Sequence, residues 1–259
     1  MFENVRHCEK SDIGLLRHNN EDSYLVVDQY CTHYNLQKFG MFFVIADGMG
    51  GHAAGKIASK MACEEAVSAY YNDDVIFQNT MDDSELKVRR LEKTLWSVHN
   101  KIINFAREHD ELRGMGTTLS TLALTNDKTL IAHVGDSRIY RFRNHSCERM
   151  TVDHTECQVL IDKGKIQPGH EGNHCYRHII TQALGGNNDL ASVFTRVESV
   201  QRGDVFLLCT DGLHDLVTDN EIGKILVEHS LLQTTSDELV QAAIRKGGHD
   251  NVTVIVIQA

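Results

Sequence analysis

Short runs rich in β-branched and aromatic residues succeed one another along this chain, most of them with no helical pattern between: Tyr24–Asp28, Met41–Ala46, Thr117–Thr125, Thr129–Val134, Arg138–Phe142, Val205–Cys209 and Val252–Ile257. A parallel pair needs a long crossover, so strands that follow one another this closely are expected to pair antiparallel. Two longer segments change period. Ala54, Ile57, Ala58, Met61, Ala62 and Ala66 recur at helical spacing, as do Val88, Leu91, Leu95, Val98, Ile102 and Phe105. A third helix is predicted over Asp237–Arg245, with Thr234, Thr235 and Ser236 as its caps. Helices with one apolar stripe must cover a sheet face, so the expected fold is α+β, with sheets inside and helices outside.

One proline in 259 residues and no Ser/Gly- or Pro-rich stretch leave no linker at which to divide the chain, and a single domain over 1–259 is expected. His154–Gly186 follows neither period and is rich in His, Gly and polar residues, which predicts a mostly surface insertion. The formal net charge of −10 argues against general affinity for nucleic acid or an anionic membrane. No apolar run approaches the roughly 20 residues that cross a bilayer, and the N-terminus lacks a basic-then-apolar signal, so a cytoplasmic location is expected. The seven cysteines are odd in number and lack CxxC spacing, which reads as reduced thiols, mostly small core residues.

Aspartate recurs where apolar strands end: Asp47 in FFVIADGMGGH, Asp136 in LIAHVGDSR, Asp211 in VFLLCTDG, with Asp250 opening the last strand in GGHDNVTVIVI. A single Asp-Gly is most simply a turn. Several carboxylates on rigid strand ends can instead converge, and they repel unless cations lie between them. An all-oxygen set selects Mg²⁺ or Mn²⁺, and two such ions holding a shared hydroxide perform in-line attack on a phosphoryl group. Gly48 lacks a Cβ, so its carbonyl can approach an ion closely; turn geometry is the other reason for glycine there. Arg17, with Glu21 and Asp22 in SDIGLLRHNNEDSY, offers a planar fork matched to phosphate oxygens, although a lone arginine is more often a solvated charge.

Taken together, SDIGLLRHNNEDSY, VIADGMGGHAAGKIAS, GMGTTLSTLAL, AHVGDSRIYRF, ITQALGG, LLCTDGLHDLV and GGHDNVTVIVI resemble the ordered motifs of bacterial protein phosphatase 2C enzymes, from about Ser11 to Ile257. The resemblance implies a four-layered fold, a central antiparallel β-sandwich with helices on both outer faces. It implies Mn²⁺- or Mg²⁺-dependent hydrolysis of phosphoserine and phosphothreonine proteins. In the implied centre Asp47 bridges two ions, the Gly48 carbonyl and Asp22 serve one, and Asp211 and Asp250 serve the other. Asp136 with Asp211 resembles the ligand pair of a third ion. Arg17 matches the phosphate-binding arginine, Glu21 a residue that positions water on a metal, and Gln158–Arg177 a flap associated with substrate choice. The expected flap as a whole spans about 154–180. A Ser/Thr kinase acting on the same proteins is the implied counterpart, and the chain is expected to be a monomer.

Animal relatives carry histidine directly after the Asp-Gly pair as a candidate general acid, whereas this chain has Met49, which leaves proton donation unassigned. His52, three residues on, is a candidate donor; orienting the following helix is its other reading. His170, His174 and His178 have the i, i+4, i+8 spacing of a zinc-binding helix face, but Pro168, Gly169 and Gly172 oppose a helix, and polar flap residues are the expectation. Two other functions fit part of this pattern: a hydrolase of small phosphoesters, and an inactive binding module of the same fold.

Overall fold

A computed structural model of the chain describes residues 5–50, 53–72, 83–167, 169, 176–186, 189–228 and 231–259. His52, Pro168, His170, Gly172, His174 and Cys175 lie outside the described residues.

Two antiparallel sheets form the centre. One has the order β1-β12-β11-β7-β8, built from β1 (Arg6–Asp12), β12 (Val252–Gln258), β11 (Val205–Cys209), β7 (Arg138–Arg143) and β8 (Ser146–Arg149). The other runs β10-β6-β5-β3, from β10 (Phe194–Ser199), β6 (Lys128–Val134), β5 (Leu119–Leu124) and β3 (Met41–Met49). In that sheet β2 (Asp22–Val27) also pairs with β3, whose far end continues through β4 (Gly116–Thr117) to β9 (Leu184–Gly185).

The period of two along a strand decides which layer each side chain enters. On β3, Met41, Phe43 and Ile45 face the other sheet, where they meet Phe206, Leu208, Ile255 and Ile257. Phe42, Val44 and Ala46 point outward against α2 (Ala53–Tyr71) and α3 (Asp83–Glu108). Leu207, Cys209, Val252, Val254 and Val256 point out of the other sheet against α6 (Asp219–Glu228) and α7 (Leu232–Arg245). Sheets buried on both faces read as near-continuous apolar runs, which is why β3, β11 and β12 were visible in the sequence. The result is the expected α-β-β-α order. On α2, Ala54, Ala58, Ala62 and Ala66 recur every fourth residue, and their small side chains let that helix lie close to β3.

Four expectations change in detail. The run at Thr117–Thr125 is two strands, β4 and β5, separated by Thr118. The third helix begins at Leu232, so Thr234, Thr235 and Ser236 are inside it, and the Thr235 hydroxyl donates to the Leu231 carbonyl instead of capping. The irregular stretch after His154 contains α4 (Glu156–Asp162), capped by Thr155, whose hydroxyl accepts from the Gln158 N–H, with Cys157 buried. Asp47 is inside β3 and not beyond it. Two short helices, α1 (Leu36–Phe39) and α5 (Asp211–His214), and a 3₁₀ turn at Asp110–Leu112 complete the described elements. Of the cysteines, Cys8, Cys31, Cys63, Cys147, Cys157 and Cys209 are free thiols, and Cys63, Cys157 and Cys209 are buried. Among the described residues no helix is long and apolar enough to cross a membrane.

Candidate active site

Strand pairing brings the first two carboxylates together. Asp22 on β2 is the direct cross-strand partner of Asp47 on β3. Asp211 opens α5 directly after Thr210, the residue that follows β11, and Asp250 precedes β12 by two residues. Asp136 stands in the turn between β6 and β7. Arg17, Glu21, Asp47, Gly48, Asp211 and Asp250 line one cavity of about 620 Å³, together with Leu16, His18, Met49, Ile180 and Asn251. Six residues singled out in the sequence therefore share one wall. Asp22 and Asp136 do not line it, but both interact electrostatically with Asp47.

The carboxylates crowd one another. Burial, then the charges of Asp211, Asp22 and Asp136, push the Asp47 carboxyl well above the carboxylate range. Asp211 is pushed well up by burial, then by Asp136, Asp215, Asp250 and Asp22. Asp136 is raised to about 7 by burial and by Asp153 and Asp215. Asp22 also rises to about 7; burial outweighs hydrogen bonds from Thr253 (2.7 Å) and Thr210 (2.9 Å) to Oδ2.

Whether these residues suit hard cations can be judged from their unused atoms. Oδ1 of Asp22, Asp136 and Asp211 are buried without a hydrogen-bond partner. An unpaired buried carboxylate oxygen is costly, and a divalent ion among them removes both that cost and the mutual repulsion. The donor set is all oxygen, which fits Mn²⁺ or Mg²⁺.

The backbone around Asp47 is fixed from the GMGTTLS segment. Its N–H donates to Thr118 Oγ1 at 2.9 Å, while the Thr117 hydroxyl (2.8 Å) and the Thr118 N–H (2.9 Å) donate to its carbonyl. Gly48 is in strand β3, so a turn does not account for it. A Cβ there would stand 2.1 Å from the Gly55 carbonyl oxygen on α2, and one on Gly55 would stand 2.3 Å from Glu21 Oε2. Close approach of two backbones beside Glu21 is what demands glycine at both positions.

Arg17 is carried by a loop strapped to the start of β12. Its Nη2 lies 2.6 Å from Asp250 Oδ2. Asn251 Nδ2 donates to the carbonyls of Ile13 (2.9 Å) and Asn19 (3.0 Å), and its Oδ1 accepts the Glu21 N–H at 2.8 Å. The Leu15 N–H donates to the Gly248 carbonyl at 2.8 Å. Gly14, with φ +77, passes so close that a Cβ would meet the Asp250 carbonyl oxygen at 2.3 Å.

Asn251, Thr210, Thr253, Thr117 and Thr118 escaped the sequence reading. All five lie within the quoted motifs beside or near the acidic positions, Thr210 directly before Asp211 in LLCTDGLHDLV; that adjacency is the available signal. His178 is among the histidines expected to be polar flap residues. Its Nδ1 lies 2.9 Å from Asp215 Oδ2, and ligand atoms of His178, Asp211 and Asp215 all fall within 4.8 Å of one another. The arginine of GDSR is structural: Arg138 Nε donates to both Asp153 oxygens at 3.0 Å, and against the cost of burial it holds Asp153 down at about 2. His214 Nε2 donates to the Asp136 carbonyl at 3.0 Å, and burial keeps that imidazole neutral.

A cluster of buried carboxylates on an α-β-β-α sandwich defines a class, and comparison with known proteins identifies the family. The model of the Protein phosphatase 2C family matches residues 19–246. The serine/threonine phosphatase stp of Listeria monocytogenes is 34% identical over 253 residues, which cover 97% of this chain and 95% of that protein. Protein phosphatase PhpP of Streptococcus pneumoniae is 33% identical over 247 residues, covering 95% of this chain and 94% of PhpP. Among solved structures, the Mycobacterium tuberculosis serine/threonine phosphatase PstP/Ppp superposes with a TM-score of 0.83 at 32% identity, covering 98% of both chains. The catalytic domain of PstP in complex with two manganese ions superposes with a TM-score of 0.79 at 31% identity, covering 98% of this chain and 97% of that one. The chain belongs to the protein phosphatase 2C family. It is a metal-dependent serine/threonine protein phosphatase that uses Mn²⁺ or Mg²⁺.

Proposed function

We propose that the cavity at Arg17 and Asp47 is where phosphoserine and phosphothreonine side chains of proteins are hydrolysed. The observation that carries this is the set of unpaired, buried carboxylate oxygens of Asp22, Asp136 and Asp211 around Asp47, next to an arginine fork. Asp22, Asp47, Asp211, Asp250 and the Gly48 carbonyl would hold two ions, with Asp136 and Asp211 available to a third. When bound, such ions activate water and offset charge that develops on the phosphoryl oxygens.

The chain's own groups do the rest. Arg17 leaves its partner Asp250 for the substrate phosphate and orients it through two parallel N–H donors. Thr117 and Thr118 keep the Asp47 backbone fixed, so its carboxylate is aimed before substrate arrives. Glu21, held through its own N–H by Asn251, faces the same cavity and positions water. Met49 lines the cavity but has no proton to give, so the leaving oxygen draws its proton from another group or from water. His52 keeps its place as a candidate for that role.

The unit that works is the whole of residues 1–259, with 154–180 as a flap beside the cavity; Ile180 in the cavity wall and the Thr155–Ile180 bridge support this reading. The cellular counterpart is a Ser/Thr kinase that phosphorylates the same proteins, and the compartment is the cytoplasm. Phosphate release from a phosphothreonine peptide, measured with Mn²⁺ and again after exhaustive chelation, tests the proposal. Activity confined to the metal-loaded protein supports it, and full activity after verified metal removal contradicts it.

A further inference from the structure

Eleven large apolar side chains are exposed among the described residues, and five of them, Ile13, Leu15, Leu16, Tyr176 and Ile179, come from two short segments, 13–16 and 176–179. These segments lead directly into the cavity wall, where Leu16 precedes Arg17 and Ile180 follows Ile179. Scattered exposed leucines need no explanation, but exposed apolar side chains on two segments that each run into the wall of one cavity mark a surface that is covered in use. Leu15 and Leu16 are 63% and 64% exposed, so neither is explained by packing within the chain.

Both segments are held in place before any ligand arrives. The Asn251 amide and the Leu15 N–H fix the first against residues 248–251. The second is tied by the Glu156 N–H to the Ile179 carbonyl at 2.9 Å and by the bridge between Thr155 and Ile180. A preorganised apolar rim loses little ordering entropy on binding.

We propose that this rim binds the residues beside the phosphoresidue of the substrate, and that it takes apolar side chains. The proposal rests on the reading of the cavity as the phosphate site. With the phosphate at Arg17, the polypeptide that carries it has to cross the mouth of the cavity, next to Leu16 and Ile180. An apolar flanking side chain is removed from water there, whereas an acidic one would lose hydration against Leu16 and Ile180 without an equivalent gain.

The test uses two phosphothreonine peptides, identical except that the positions on either side of the phosphoresidue are leucine in one and aspartate in the other. The readout is the ratio of their kcat/KM values with Mn²⁺, for the full chain and for the doubly substituted Leu16→Ser/Ile179→Ser protein, with circular dichroism to check folding. A ratio of about ten or more in favour of leucine, carried by KM, is expected from partial burial of one leucine side chain. In the variant the ratio should fall several-fold. A ratio near one in the unmodified chain, or one that survives both substitutions, overturns the proposal. Binding to phosphatidylcholine vesicles that the two substitutions abolish, with a peptide ratio near one, would make the rim a lipid surface and also overturn it. Absence of Mn²⁺-dependent release from both peptides overturns the cavity assignment as well, whereas equal release from both overturns the rim alone.

Discussion

Asp22 and Asp47 are direct cross-strand partners on antiparallel β2 and β3, a placement that puts two buried groups of like charge next to each other. Cross-strand pairs of like charge are destabilising, so in the absence of metal this pair works against the fold.

That relationship has a sign that can be measured. With its folded-state value raised to about 7 against an ordinary value near 4, Asp22 contributes stability below about pH 4, and that contribution is lost as pH rises through 7. Buried neutral His133 and His214 act in the opposite direction, so the test is a difference between two proteins. In EDTA, Asp22→Asn should melt higher than the unmodified chain at pH 8, with the gap closing toward pH 5. With Mn²⁺ at pH 8 the order should reverse. A melting-temperature gap that does not change between pH 5 and pH 8 contradicts this account of Asp22.

Arg17 tests substrate binding separately from metal binding. Arg17→Ala should raise KM for a phosphopeptide by about tenfold or more, the value of a charge-assisted hydrogen-bonded pair, while Mn²⁺ affinity measured by calorimetry changes little. Arg17→Lys should recover only part of the loss, because an ammonium does not reproduce the fork. Unchanged KM in the alanine variant returns Arg17 to a surface charge paired with Asp250.

Asn251 is buried and makes three hydrogen bonds that tie residues 13–21 to β12. Asn251→Ala leaves the Glu21 N–H and two carbonyls without these partners and should cost about 2–3 kcal/mol of stability in urea unfolding. It should also raise KM, because the Arg17 loop loses its strap. Wild-type stability with a raised KM would limit Asn251 to orienting the loop, and wild-type values of both would contradict the strapping role.

Much of this was legible in the sequence, for physical reasons that differ by element. β3, β11 and β12 are buried on both faces and therefore apolar without interruption, which is the strongest strand signal a sequence carries. β1 (RHCEKSD) and β10 (FTRVES) are edge strands with polar, half-buried patterns, and their pairing is supplied by a neighbour and not by their own composition. β9 has two residues and no pattern to read. α6 carries Ile222, Ile225 and Leu226 at helical spacing, so its apolar stripe is present in the sequence. The acidic residues stood out because each follows or opens an apolar run. Thr210, Thr253 and Asn251 act through hydrogen bonds to Asp22, Glu21 and the 13–19 loop, partners 188 to 238 positions away in the chain, which no local pattern reveals.

The reading of Asp47 as the carboxylate shared by both ions is tested most directly by kcat measured against Mn²⁺ concentration for Asp47→Asn and Asp250→Asn, with circular dichroism as the folding control. Both variants should fold, because removing one charge from a crowded carboxylate group relieves repulsion. Asp47→Asn should lose about a thousandfold or more in kcat at every Mn²⁺ concentration, since activation of water and charge stabilisation fail together. Asp250→Asn should recover part of its activity as Mn²⁺ is raised. Near wild-type kcat for Asp47→Asn at saturating Mn²⁺ would contradict the shared-ligand role and the two-ion centre built on it.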